Sequence, residues 1–158
     1  MKNSEGLLLH IDSQRAAAWT GALKATFTEM PIRIWPDRGD PSEIRYALLW
    51  KPPPELFDGL NNLKVIFSVG AGIDHLTSCK TMPADVPVVR MVEPVLTAGM
   101  VEYVIYNVIR FHRRMHEYDM QQRLAQWQVL PQVTASDVTI GIMGLGVLGE
   151  APAANLTR

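Results

Sequence analysis

The stretch Val138 to Gly149, V-T-I-G-I-M-G-L-G-V-L-G, constrains this chain more than any other. Apart from Gly141, Val138 to Ile142 are apolar or β-branched, which predicts a short strand buried on both faces, as parallel strands are. Gly144, Leu145, Gly146, Val147, Leu148 and Gly149 then spell G-x-G-x-x-G directly after it. The spacing has a chemical reason. Gly144 permits a tight turn out of the strand, Gly146 lets the backbone approach a pyrophosphate, and Gly149 lets the next helix lie close. N–H groups at the start of that helix would face the anion, helped by the helix dipole. The glycines alone would also suit a plain turn; the strand before them favours the dinucleotide reading. The residues after Gly149 do not complete it. The motif belongs to a βαβ unit of about 30 residues with an acidic residue about 20 positions on, and the sequence reaches Arg158 before either. Pro152 falls past the first helical turn, where a proline costs about 3 kcal/mol or more.

A second glycine loop lies in Ser68-Val69-Gly70-Ala71-Gly72-Ile73-Asp74-His75-Leu76. Two glycines within three residues let successive N–H groups face one way and form a small anion nest. Asp74 is placed to cap the short helix next to it. Such a loop suits a carboxylate beyond the strand ends, where open α/β sheets bind ligands. An ordinary strand-to-helix turn would look the same locally. Two anion-suited loops in one chain favour the carboxylate.

Between and before these loops the sequence reads as strands alternating with helical or loop segments. Gly6 to Ile11, Ile32 to Trp35, Ala47 to Trp50, Val65 to Val69 and Val86 to Met91 are strand candidates, the last weakened by Pro87. Gln14 to Phe27 carries Ala16, Trp19, Leu23 and Phe27 at helical spacing, and Asp12 stands where a cap belongs. The pattern predicts an α/β fold with an open, mostly parallel, doubly wound, flavodoxin-like sheet. A long helix over 98–118 comes next, capped by Thr97, with Val101, Val104, Ile105, Val108, Ile109 and His112 on one face. A polar stretch leads from it into the Gly-rich strand. The expected organisation is 1–118, then a linker over 119–136, then the start of a further domain over 137–158.

With 158 residues and 47% hydrophobic content, the chain can bury a core of one domain, or one plus a fragment. A net charge of −1 argues against nucleic acid as a partner. The single Cys79 excludes an internal disulfide framework and reads as an inert core thiol in a reducing compartment. No apolar run approaches the length of a membrane span, and no signal peptide is legible, so a cytoplasmic protein without a membrane partner is expected. His112 and His116 are four apart, but no third ligand is identifiable and Arg113 and Arg114 would oppose a cation, so no metal site is assigned. Asp12 stands just after a strand, as the phospho-acceptor of a receiver-like domain does, but a helix cap explains it with less. No catalytic Ser/His/Asp or Cys/His set emerges from spacing.

Four stretches taken together resemble one family. They are A-L-L-W-K-P-P at 47–53, L-K-V-I-F-S-V-G-A-G-I-D-H-L at 63–76, M-V-E-Y-V at 100–104 and T-I-G-I-M-G-L-G-V-L-G at 139–149. The chain resembles the N-terminal part of the D-isomer-specific 2-hydroxyacid dehydrogenases, of the glyoxylate/hydroxypyruvate reductase A type. That likeness implies a substrate domain, a long helix crossing out of it, and a dinucleotide domain of which only the first portion is here. It implies NADP or NAD as cofactor, a small 2-oxoacid as substrate and a homodimer. The backbone of Ala71 and Gly72 would hold the substrate carboxylate, and Trp50 would wall its pocket. Met100 would lie near the nicotinamide, with Leu145 to Leu148 and the motif glycines along the pyrophosphate. Trp127 is similar to a loop tryptophan that reaches the partner subunit. The family's catalytic arginine, glutamate and histidine lie downstream of the glycine fingerprint, so no catalytic residue is assigned here. The alternative is a non-catalytic module that binds a small acid or dimerises.

Overall fold

The computed structural model describes residues 5–157. They form two compact units, divided between Met91 and Val92.

The first unit is built on five parallel strands. In chain order these are β1 (Gly6–His10), β2 (Ile32–Ile34), β3 (Ile44–Leu49), β4 (Val65–Ser68) and β5 (Val88–Val89). The spatial order is β2-β1-β3-β4-β5, with every pairing parallel. The predicted flavodoxin-like α/β sheet is therefore the observed one. The run Leu7-Leu8-Leu9 explains why β1 is central: neither face is polar, so both must be covered. Alternation sends Leu7, Leu9 and Leu48 to one core and Leu8, Ala47, Leu49 and Ile66 to the other. Helix α1 (Ser13–Thr26) lays Trp19 and Leu23 against the first. Asp12 caps it, accepting from the Arg15 N–H at 3.1 Å. Leu56, Phe57, Leu60, Leu63 and Leu76 cover the second.

The edge strand is shorter than the expected Val86 to Met91. Pro87 has no N–H to give a ladder, though its carbonyl accepts from Ile66 N–H at 3.0 Å. Only Val88 and Val89 pair with β4. Beyond β4 comes a single short helix turn, α2 (Asp74–Thr77).

In the second unit the long helix departs from expectation at both ends. Helix α3 spans Pro94–His112 and α4 spans Met115–Arg123. Glu93, not Thr97, is the cap: its carboxylate accepts from Val95 and Leu96 N–H at 3.0 and 2.8 Å, and Pro94 fills the first position, where no N–H is needed. A single helix over 98–118 is broken at Arg114, whose backbone is left-handed at φ 55°. Its guanidinium grips Glu117 through two bonds of 2.6 and 2.7 Å, which holds the Glu117 carboxyl below its usual range. Residues 119–123, expected in the linker, belong to α4.

Val138 to Ile142 forms no strand among the described residues. Ile140 is exposed, not buried on both faces. A strand is completed by ladder partners, and the described residues offer this segment none. Helix α5 (Val147–Leu156) does come after the glycines, and it packs on α3. Pro152 sits inside α5 without ending it. The Leu148 carbonyl loses its i+4 donor, and the proline ring is buried in exchange.

Candidate carboxylate site and phosphate turn

Parallel pairing brings the C-terminal ends of β1, β3 and β4 side by side. The order in which the chain adds strands reverses between β1 and β3, which is where such sheets hold ligands. His10, Trp50 and the 69–72 loop stand at these ends. Trp50 is pinned through its backbone: its N–H donates to the His10 carbonyl at 2.7 Å, and its own carbonyl lies 3.0 Å from His10 Nδ1. Its ring covers the loop. A Cβ on Gly70 would come within 2.6 Å of Trp50 Cζ3, so only glycine admits the ring there. Trp50 and Gly70 to Gly72, distant in sequence, are therefore brought together.

The nest is largely open. Gly70 N–H is satisfied internally by Ser68 Oγ at 3.1 Å. The N–H groups of Ala71 and Gly72 donate to no acceptor among the described residues. Gly72 is exposed, and a Cβ there would meet only Asp74 Oδ2, at 3.7 Å. Such paired donors suit an anion. Asp74, expected to cap α2, is instead its first residue, and no side chain caps that helix.

Two neighbours of this site were not anticipated from spacing. His75 packs against Trp50 in a tilted pair, with ring centroids 4.3 Å apart and planes at 47°. Its Nε2 is buried and finds no partner among the described residues. Burial pushes its pKa down, with the Lys51 charge in the same sense, while the Leu49 carbonyl and Asp74 oppose. The ring is therefore neutral at pH 7. Lys51 places its Nζ 5.9 Å from the Trp50 ring and adds positive charge nearby. Ser68 is the other. It is a buried polar residue in a strand, two positions before a glycine, and that combination was the available signal.

The second loop lies wholly in the second unit. Gly144 is left-handed at φ 91°, the conformation a tight turn asks of glycine. Gly146 is the N-cap of α5 and offers no side chain. Gly149 has the strictest demand: a Cβ would sit 1.9 Å from the Gly144 carbonyl oxygen. The helix closes on the turn itself. Gly149 and Glu150 N–H donate to the Gly146 carbonyl at 2.9 Å, while those of Leu145, Val147 and Leu148 meet no acceptor among the described residues. Leu145 and Val147 are exposed. Met100 is half-buried in α3. Trp127 is 96% exposed on a loop tied to α4, where Gln128 N–H donates to Gln121 Oε1 at 3.1 Å and Leu130 N–H to the Tyr118 hydroxyl at 3.0 Å.

No protein-family model matches the chain. Individual proteins do. It is 39% identical over 148 residues to a glyoxylate/hydroxypyruvate reductase A of Yersinia enterocolitica and 35% identical over 147 residues to that of Serratia proteamaculans. Each match takes in 90% of this chain and 47% of the relative, so the chain spans about half the length of these proteins. Among solved structures, a D-isomer-specific 2-hydroxyacid dehydrogenase of Xanthobacter autotrophicus in complex with NADPH and MES superposes with a TM-score of 0.86 at 35% identity, covering 98% of this chain and 50% of that one. An NADPH-dependent glyoxylate/hydroxypyruvate reductase of Sinorhizobium meliloti, in complex with NADP and sulfate, gives a TM-score of 0.84 at 36% identity, covering 97% and 49%. The chain is thus a homologue of the glyoxylate/hydroxypyruvate reductase A proteins within the D-isomer-specific 2-hydroxyacid dehydrogenases, matching a share of their length consistent with the N-terminal portion.

Proposed function

We propose that this chain carries the carboxylate-binding side and the first phosphate turn of an NADPH-dependent reductase acting on a small 2-oxoacid such as glyoxylate or hydroxypyruvate. The observation behind the reading is the pair of unengaged N–H groups on Ala71 and Gly72, beneath a wall made by Trp50. Two adjacent free N–H groups suit a carboxylate, and the tryptophan limits what can extend beyond it. In the second unit, Gly144, Gly146 and Gly149 shape a turn for a pyrophosphate, with the N–H groups of Leu145, Val147 and Leu148 available to it. The bound cofactor would supply the hydride. Two solved relatives, in complex with NADPH or NADP, favour the phosphorylated form. Met100 is assigned to the nicotinamide side. The functional division we propose remains 1–118 for the substrate side, 119–136 for the link and 137–158 for the cofactor side. A reducing, cytoplasmic setting and a homodimer complete the proposal.

The proton-transfer histidine, its glutamate and the carbonyl-polarising arginine of the resembled family fall outside these residues. The isolated 158-residue chain is therefore expected not to turn over. Purified chain with glyoxylate and NADPH should consume cofactor no faster than a blank without protein. Titration calorimetry on the same preparation should still show glyoxylate binding. Turnover above the blank would overturn the first expectation, and absence of glyoxylate heat the second.

One observation favours a second reading, in which the unit serves association. An apolar groove of about 510 Å³ lies open on the sheet face, lined by Leu23, Phe27, Tyr46, Leu48, Phe67 and Val89 among others. Open apolar surface of this kind is commonly covered by another chain. Sedimentation at micromolar concentration tests the association that both readings share: a clean monomer would remove the second reading, and a dimer that binds no glyoxylate would favour it over the first.

A further inference from the structure

We infer that Ser68 is the positioning residue of the 70–73 loop, turning its donors toward a ligand. The inference rests on the carboxylate reading above. Ser68 ends β4 and is only 3% exposed. Its hydroxyl accepts the Gly70 N–H at 3.1 Å, and its one hydrogen is shared between the Gly70 carbonyl at 3.0 Å and the Gly72 carbonyl at 3.3 Å. A hydroxyl has one donor and two acceptor sites. Here it engages three groups of the loop at once.

Peptide planarity carries this inward anchoring to the outer side. The carbonyl of one residue and the N–H of the next share a plane and point in opposite directions. Drawing the Gly70 carbonyl to Ser68 turns the Ala71 N–H away from it. Drawing the Gly72 carbonyl in does the same for the Ile73 N–H. Gly72 N–H lies between these two held planes. None of the three donates to an acceptor among the described residues. The loop therefore offers three donors, with Ile73 added to Ala71 and Gly72. Among the described residues the buried hydroxyl alone holds the Gly72 carbonyl, and it shares the Gly70 carbonyl with the Met91 N–H, which donates to it at 3.1 Å. Without it, the Gly72 carbonyl is free to turn outward, where it would repel an anion, while Met91 still holds that of Gly70.

The test compares Ser68→Ala, Ser68→Cys and Ser68→Thr in the full chain. Amide spectra without ligand come first. The Gly72 and Ile73 signals should move in Ser68→Ala, and that of Ala71 less, since Met91 still holds its plane; all should move less in Ser68→Cys and return toward the native positions in Ser68→Thr, which restores the hydroxyl. Glyoxylate affinity by calorimetry should fall at least about tenfold in Ser68→Ala, the loss of a bond or two of ordinary strength. The cysteine variant should lie between, and it carries the test if the alanine variant does not fold. Unchanged loop signals in the folded variants overturn the inference. Moved signals in a chain that never binds glyoxylate uphold the latch and reject the carboxylate reading instead.

Discussion

Replacing Gly149 by alanine should destabilise the turn at Gly144 and the helix beyond it, although alanine is the better helix former. Two effects compete. Helix propensity favours alanine over glycine by about 0.8–1.0 kcal/mol. Against this, the new Cβ would stand 1.9 Å from the Gly144 oxygen and 3.0 Å from its carbon. Those are backbone atoms of a left-handed turn and cannot rotate aside as a side chain would. Forced overpacking costs about 1–3 kcal/mol and occasionally more. Because backbone must move, the cost belongs at the top of that range, about 3 kcal/mol, and the clash should win by about 2 kcal/mol. Amide exchange over Val147–Leu156 should then quicken about thirtyfold. Gly99→Ala is the internal control, since nothing lies within 4 Å of a Cβ there and the residue is inside α3. It should stabilise its helix by the propensity difference alone. Slower or unchanged exchange in Gly149→Ala would show that the third glycine is not there to let the helix close on the turn.

The second large effect is expected at Gly70. Its backbone is not left-handed, so alanine is conformationally allowed and the whole effect is steric. The Cβ would lie 2.6 Å from Trp50 Cζ3 and 3.4 Å from Cε3 and Cη2. The indole cannot simply retreat. Its backbone is bonded to His10 on both sides, and its ring rests on His75. It must rotate away from His75 or push the loop away from it. Either movement spoils the wall beside the Ala71 and Gly72 donors. Glyoxylate affinity should fall at least about tenfold, with a stability loss of about 1–3 kcal/mol. Aromatic signals of Trp50 and His75 should shift together. Gly72→Ala meets only Asp74 Oδ2 at 3.7 Å and should leave that ring pair in place. If the two alanine variants bind glyoxylate equally well and leave both rings unmoved, Trp50 does not form the pocket wall.

Both glycine loops were legible in the sequence because their chemistry is local. The spacing of Gly70 and Gly72, or of Gly144, Gly146 and Gly149, can be read without knowing what surrounds it. The central strands were equally plain, since Leu7, Leu8 and Leu9 have no polar face to give to water. Other features were not readable in this way. Arginine has no preference for the left-handed region, so nothing at Arg114 announced a break in the long helix. Glu93 is hard to see as a cap because Thr97 has the commoner cap chemistry and stands nearer the apolar run. Val138 to Ile142 has the composition of a strand. Composition measures willingness to pair, while a ladder needs another strand beside it.

The amino-acid order determined which segments of this protein prefer to extend or coil, where its backbone can approach an anion, and which leucines must leave water. Those are properties of each residue and its near neighbours. Tertiary structure decided that Trp50 covers Gly70, that His75 supports it, and that Ser68 turns the loop's carbonyls inward. Each of these rests on β3 and β4 lying in parallel register, Leu49 beside Ser68, a contact between residues far apart along the chain that is made only when the sheet is assembled.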